Sequence, residues 1–108
     1  MATALKKNAK PTAHPPAISI ESELRSLDLQ LLDLMGRADV GTVADWANLI
    51  SCTQRAGLTL REIAGFLPCS VSTVSRWHSG KAAPPLFMRE PIKQMLIGLV
   101  ESRIKSRA

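Results

Sequence analysis

The hydrophobic positions of the chain recur at helical spacing in five separate segments. These segments are residues 19–35, 42–56, 60–66, 71–78 and about 90–105. They are bounded by serines and threonines that can cap a helix, by glycines and by prolines. Because spacings of three and four residues place the apolar side chains on one helix face, the pattern predicts an all-α domain of about five helices over residues 19–108.

The first helix carries leucines in a 3-4-3 spacing, at Leu24, Leu27, Leu31 and Leu34. This spacing is typical of a coiled-coil seam, which would make the helix a surface for a second copy or for another protein. The stripe is too short for a free-standing coiled coil, so packing on the protein's own core is favoured. Gly36 is expected to end the helix.

The second helix begins with a capping box of Thr42 and Asp45, and it is expected to end at Gly57. One face of this helix comprises Val43, Trp46, Ala47, Ile50 and Gln54. On that face Trp46 is interpreted as a core residue rather than as a base-stacking one.

Two short helices follow within about residues 59–79. Thr59 and Glu62 form another capping box at the start of the first helix, which Pro68 ends. Ser70 can cap the second helix, and Gly80 suits the position just after it. The residues expected to form the core of this segment are Ile63, Ala64, Leu67, Val74 and Trp77.

The outward face of the second short helix holds Ser72, Thr73, Ser75 and Arg76. Hydroxyl groups can bond base edges or phosphates, and an arginine can bind O6 and N7 of a guanine. Serine-rich faces are poor helix formers, so this set is an odd choice for a merely solvated face. A helical hairpin that only packs is the alternative, but the pattern favours insertion into a DNA major groove.

Residues 57–84 also match a known pattern in four groups. The groups are Gly57-Leu58-Thr59, Glu62-Ile63-Ala64, the run from Ser70 to Trp77, and Ser79-Gly80-Lys81 with Pro84. With them, the chain resembles over residues 43–84 the helix-turn-helix of the Cro/CI-like (xenobiotic-response-element-like) family of phage and bacterial repressors. The resemblance implies a lambda-repressor-like fold with an extra N-terminal helix and a C-terminal helix, and binding to double-stranded DNA.

The resemblance implies a role for each matched position. Base contacts are expected from Val71, Ser72 and Arg76, together with the outward-facing Ser75. Phosphate contacts are expected from Thr59, Arg61, Ser70, Thr73 and Lys81. The family often dimerises through its fifth helix, where the apolar stripe is Ile92, Met95, Leu96, Leu99 and Val100.

Two residues depart from the family pattern. Pro68 stands where the turn usually has a glycine, and proline cannot readily adopt a positive φ. We therefore expect the left-handed residue to shift to Cys69, or the angle between the two helices to differ. Val71 stands where a long polar side chain is common. Both departures affect the register of the base contacts more than the fold.

Charge favours an anionic partner. The chain of 108 residues has a formal net charge of +5 and a pI of about 9.8, and nucleic acid is the commonest partner of such a protein. Residues 1–18 hold three lysines and no acid, and they are expected to form a disordered basic arm that either contacts DNA or is a solvated tail. Five acids fall within residues 19–40, so that segment is expected to face away from DNA.

The sequence lacks the residue patterns that metal binding, catalysis or membrane insertion would need. Cys52 and Cys69 have no CxxC spacing and only two histidines accompany them, which argues against zinc. The chain has no P-loop, no GxSxG and no HExxH, and no apolar run long enough to span a membrane. We therefore expect no cofactor, no metal, no membrane association and no enzymatic activity.

These observations predict a cytoplasmic, nucleoid-associated transcriptional regulator of a bacterium or phage. It is expected to act as a homodimeric repressor that binds an inverted-repeat operator through the major groove. One alternative is an antitoxin-type autorepressor that also binds a protein toxin. Another is a helical protein–protein interaction module without a role on DNA, docking through the Leu24–Leu34 helix or the C-terminal stripe.

Overall fold

The structure, a computed structural model, describes the backbone of residues 16–107 and the side chains of residues 25–106. Within these residues it has five α-helices, one short 3-10 helix and no strand, which confirms the all-α prediction. The elements are α1 (Pro16–Arg37), α2 (Val43–Arg55), α3 (Leu60–Phe66), α4 (Val71–His78), the 3-10 helix (Leu86–Met88) and α5 (Arg89–Arg107). Of the predicted basic arm, residues 1–15 lie outside the described residues, and residues 16–18 belong to α1.

Glycine ends two of the helices but not α1. Gly57 and Gly80, with φ of 97° and 76°, follow α2 and α4 in the left-handed conformation that glycine adopts without steric cost. The prediction for Gly36 is wrong, because α1 continues to Arg37. The carbonyl of Gly36 accepts a hydrogen bond of 3.0 Å from Lys93 Nζ, so α5 satisfies this acceptor near the end of α1.

The core lies where α2 packs on α4. Trp46 of α2 is fully buried, which confirms it as a core residue, and its ring centroid is 5.9 Å from that of Trp77. Trp46 Nε1 donates to the carbonyl oxygen of Val40 at 3.0 Å, so its polar atom is satisfied inside the core. Val43, expected on the same inward face, is exposed instead, because it is the first residue of α2 and lies beyond the core.

The face that α1 buries differs from the predicted leucine seam. Leu31 and Met35 are buried, whereas Leu27 and Leu34 are exposed. The side chain of Leu24 lies outside the described residues. α1 therefore packs through Leu31, a member of the 3-4-3 stripe, and through Met35 beside it, whereas two other members of that stripe stay in contact with solvent.

Three basic side chains fasten α5 to the other elements. Arg89 donates to a carbonyl of the loop before α2 at 2.9 Å, and Lys93 donates to a carbonyl just after α1 at 2.7 Å. Arg103 donates to the carbonyl of Gly57, just after α2, at 3.2 Å. A large part of the positive charge of α5 therefore satisfies backbone acceptors within the domain.

Candidate nucleic-acid interface

The first part of the candidate interface is the start of α3. The Thr59 hydroxyl accepts from the backbone N–H of Glu62 at 3.1 Å, and the Glu62 carboxylate accepts from the backbone N–H of Thr59 at 2.9 Å. This reciprocal capping fixes the path of the chain into the helix. Arg61 follows the cap and is exposed, so its guanidinium faces solvent beside the N-terminus of α3.

The turn after α3 places a positive φ at a proline. Pro68 has a φ of 21° and follows Leu67, the C-cap residue of α3. The backbone N–H of Cys69 donates to the carbonyl of Ala64 at 3.0 Å, which is the outer of the two hydrogen bonds of a Schellman motif. The inner hydrogen bond is missing, because its donor would be the backbone N–H of residue 68 and proline has none.

The structure excludes one of the two alternatives for the turn. The left-handed residue does not shift to Cys69, because the positive φ is at Pro68 itself. Cys69 is half-buried, and burial raises the pKa of its thiol, so the thiol stays protonated near neutral pH. Cys69 and Ser70 connect this proline to α4, which begins at Val71.

α4 is anchored by two buried side chains and exposes the opposite face. Val74 is fully buried and Trp77 is 5% exposed, and both pack in the core with α2. The other expected core residues of this region behave similarly: Ile63 and Ala64 are buried and Leu67 is half-buried. The residues that α4 exposes are Val71, Ser72, Ser75 and Arg76, with Thr73 half-buried beside them.

The hydroxyl groups at the start of α4 form a pair. Ser70 Oγ accepts from the backbone N–H of Thr73 at 3.0 Å and lies 2.8 Å from Thr73 Oγ1. One of the two hydroxyls donates to the other, so the pair keeps one O–H proton that can be donated to an outside acceptor. A phosphate oxygen is an acceptor of this kind.

The turn after α4 fixes the backbone position of Lys81. The backbone N–H of Lys81 donates to the carbonyl of Arg76 at 3.0 Å, across the left-handed Gly80. This closes a second Schellman motif, so the backbone that carries Lys81 is fixed relative to α4. The Lys81 side chain is exposed.

The candidate interface is positive and its single acid is neutralised. Arg61, Arg76 and Lys81 are exposed, and within residues 25–106 none of their side chains forms a hydrogen bond or an ion pair. Residues 58–88 contain one acid, Glu62, whose carboxylate pairs with Arg103 at 2.9 Å. The hydrogen bond from the backbone of Thr59 is the main cause that lowers the pKa of Glu62, and Arg103 lowers it further.

The residues that the sequence singled out for DNA binding are accessible in the structure: all are exposed except Thr73, which is half-buried. We call the α3–α4 surface the set Thr59, Arg61, Ser70, Val71, Ser72, Thr73, Ser75, Arg76 and Lys81. Sequence reasoning missed Arg103, which supports this surface from α5. No local signal could have found it, because its partner Glu62 lies 41 residues away in the chain.

The proposed dimerisation stripe is divided by the fold. Ile92, Leu96 and Val100 are buried in the core of the chain itself, so their side chains are not available to a partner. Leu99 is half-buried, and Met95 is 38% exposed. Leu86 and Phe87 of the 3-10 helix before α5 are 77% and 80% exposed, more than any large apolar side chain of α5.

No protein-family model, no curated protein and no solved structure matches the chain. Among the described residues, no helix is both long and apolar enough to cross a membrane. The same part of the chain has no group of three or more histidine, cysteine or acidic side chains that could hold a metal ion.

Proposed function

We propose that the protein is a sequence-specific DNA-binding regulator of transcription that inserts α4 into the major groove. The observation that carries the proposal is the exposed face of α4, where an unpaired arginine and several hydroxyls lie opposite two buried anchors. Buried Val74 and Trp77 hold the helix rigidly, which a base-reading helix requires. The resemblance to the Cro/CI-like helix-turn-helix supports the same assignment.

Base reading falls to the exposed face of α4. Arg76 binds a guanine through O6 and N7, a contact worth about 1–3 kcal/mol of discrimination against other bases. Val71, which is 39% exposed at the start of the helix, contacts a thymine methyl group. Ser72 and Ser75 bond base edges through hydroxyls that can donate or accept.

Phosphate contacts surround that face. Arg61 lies near the start of α3, before the turn, and Lys81 lies just after α4. Their unpaired charges bind phosphates on the two sides of the groove. The Ser70–Thr73 pair donates its one free proton to a phosphate at the start of α4. Thr59 still has its hydroxyl proton after accepting the capping bond, so it can donate to the same strand.

The regulator acts as a homodimer on an inverted repeat in the cytoplasm, associated with the nucleoid. Two copies related by a two-fold axis present two α4 helices to half-sites one DNA turn apart, about 34 Å. A dimer bound at a promoter represses by occluding RNA polymerase. The pairing of Glu62 with Arg103 favours binding, because it compensates the charge of the one carboxylate within residues 58–88.

A second function has one observation in its favour. Leu27 and Leu34 of α1 are 58% and 48% exposed, and Leu34 lines a groove between α1 and α2. Exposed leucines beside such a groove can dock another protein, as in an antitoxin that also binds its toxin. This function adds to DNA binding and does not replace it, since the two surfaces are on different helices.

The experiment that tests the proposal compares three variants on a DNA duplex selected for tight binding and on a random duplex, at several salt concentrations. Arg76→Ala should lose about 1–3 kcal/mol on the selected duplex and little on the random one. Lys81→Ala should weaken both duplexes alike and reduce the salt slope by about one unit, because one phosphate contact is lost.

Arg25→Ala is the matched control. Arg25 is an exposed arginine of α1, outside the α3–α4 surface, and its removal should change neither duplex. If Arg76→Ala binds both duplexes as the wild type does, the assignment of base reading to α4 is wrong.

A further inference from the structure

The guanidinium of Arg103 binds both ends of the segment that leads into α3. Its Nη1 donates to the carbonyl of Gly57 at 3.2 Å, and its Nη2 donates to Glu62 Oε2 at 2.9 Å. The guanidinium also passes close to the backbone of Gly57, because a Cβ atom placed there would lie 3.7 Å from Nη1. We call residues 57–62, which lie between and include these two acceptors, the bridged segment.

The bridged segment carries two of the proposed phosphate contacts, Thr59 and Arg61, and both residues are exposed. Glu62 Oε1 accepts from the backbone N–H of Thr59 at 2.9 Å while Oε2 accepts from Arg103, so one carboxylate connects the cap of α3 with α5. The backbone on both sides of Arg61 is therefore held by a residue that lies outside α3.

Little else fixes the first turn of α3. The helix has only seven residues, and a helix of this length is marginally stable without outside contacts. Leu58 is buried and Leu60 is half-buried, whereas the polar residues of the bridged segment that would meet DNA are exposed and have no packing to hold them. The conformation of this turn therefore depends on its cap and on Arg103.

The two arginines on either side of this contact differ in what they have left to bind. The side chain of Arg103 is 30% exposed, and both of its terminal nitrogens already donate to acceptors of the bridged segment. Arg61 is exposed, and within residues 25–106 its side chain forms no hydrogen bond or ion pair. Arg61 is thus free to bind a phosphate, whereas Arg103 is engaged inside the domain.

We propose that Arg103 is a positioning residue for DNA binding, which closes the bridged segment and so holds Arg61 where a phosphate of the DNA backbone binds. This role rests on the proposed function, because it requires that Arg61 meets DNA. Phosphates are present on every sequence, so Arg103 should affect the affinity for DNA in general and not the preference for one sequence. α5, which carries no residue assigned a DNA contact, thereby contributes to the strength of binding.

Equilibrium titration of the full chain on the selected and the random duplex tests this role by comparing a double variant with its two single variants. Arg103→Ala should weaken binding to both duplexes alike by about three- to tenfold, the range expected for one hydrogen bond. Arg61→Ala should also weaken both duplexes. The double variant should bind within about twofold of Arg61→Ala alone, because Arg103 then has no phosphate contact left to position.

The same comparison with Arg76 is the matched control. Arg76 lies on α4, outside the bridged segment, so the losses from Arg103→Ala and Arg76→Ala on the selected duplex should multiply. Lys105→Ala removes an exposed cation of α5 that forms no hydrogen bond or ion pair within residues 25–106, and it should leave both affinities close to those of the wild type. A stoichiometric titration gives the active fraction of each variant, so that lost folding is not counted as lost affinity.

Wild-type affinity of Arg103→Ala, a changed sequence preference of that variant, or losses from Arg103→Ala and Arg61→Ala that multiply would each overturn the proposal. Multiplying losses would show that Arg103 binds a phosphate itself or acts through the whole fold. If Arg76→Ala relaxes the preference while Arg103→Ala binds normally, the proposed function stands without this role. A wild type that binds neither duplex contradicts the proposed function and the role of Arg103 together.

Discussion

Arg103, near the end of α5, forms an ion pair with Glu62 in the first turn of α3, with 2.9 Å between Nη2 and Oε2. The same guanidinium donates to the carbonyl of Gly57, and the same carboxylate accepts from the backbone of Thr59. α5 is thereby connected to the start of α3, the helix that precedes the candidate DNA-reading helix α4. Replacing Arg103 should therefore affect the α3–α4 surface, although Arg103 is not one of the residues assigned a DNA contact.

This arrangement predicts an acid-sensitive component of stability. Because the folded-state pKa of Glu62 is lowered, its stabilising effect is fully present above the unfolded-chain pKa of about 4.3 and is lost as pH falls through the folded value. Glu62→Gln should lower Tm at neutral pH and reduce the further loss of Tm on acidification. Thermal unfolding of both proteins between neutral and strongly acidic pH measures this.

The matched control for that experiment is Glu101→Gln. Glu101 is an exposed glutamate on α5, and within residues 25–106 it forms no hydrogen bond or ion pair. Its replacement should leave the pH dependence of Tm close to that of the wild type. If Glu62→Gln gives the same pH profile as Glu101→Gln, the carboxylate of Glu62 does not stabilise the start of α3.

The turn before α4 predicts a stabilising substitution. Pro68 has a φ of 21°, far from the value near −65° that its ring prefers, and such backbone strain costs about 1–3 kcal/mol. Pro68→Gly should relieve it and supply the N–H for the missing bond of the Schellman motif. Greater freedom of the unfolded chain offsets about 0.4–1 kcal/mol of this gain. We expect a net stabilisation of about 1 kcal/mol in urea unfolding.

Pro85→Gly serves as the comparison for Pro68→Gly. Pro85 has a φ of −54°, which suits the proline ring, so its replacement should destabilise the protein through the unfolded state alone. The two proline-to-glycine changes should therefore have opposite signs. Destabilisation by Pro68→Gly would contradict the conformation described for the turn.

The buried ammonium group of Lys93 binds the end of α1, so its removal should lower the free energy of unfolding. Lys93 is 6% exposed and donates to the carbonyls of Gly36 and Ala38, which lie at and just after the end of the helix. Lys93→Met keeps an unbranched side chain that is one atom shorter, and it leaves these acceptors without their donor. We expect a loss of about 1–3 kcal/mol in the free energy of unfolding, measured with urea.

Lys105→Met is the control for Lys93→Met, since Lys105 is an exposed lysine of the same helix. It removes the same charge without removing a contact to the end of α1. Its effect should stay within about 0.5 kcal/mol, as for most surface substitutions. Equal effects of the two changes would show that Lys93 contributes only net charge.

Local sequence signals predicted the parts of the fold that local interactions determine. Both capping boxes, Thr42 with Asp45 and Thr59 with Glu62, are formed, and α3 and α4 have the predicted bounds. These features depend on residues within one helical turn of each other. The inward orientation of Trp77 likewise follows from its spacing on a short amphipathic helix.

Contacts between distant segments could not be read from the sequence. Gly36 was expected to end α1, but Lys93 satisfies its carbonyl from α5, 57 residues away. The apolar stripe of α1 contained more leucines than the core covers, so spacing alone did not show which of them would be buried. The exposed pair Leu86 and Phe87 lies between two predicted helices, where helical periodicity carries no information.

A binding selection on random duplex DNA at two salt concentrations, with the wild type and Arg76→Ala side by side, shows directly whether α4 reads DNA. We expect an enriched inverted repeat for the wild type, steep weakening at higher salt, and relaxed preference at one position in each half-site for the variant. Absence of binding at both salt concentrations, or an identical enriched motif for the two proteins, would contradict this expectation.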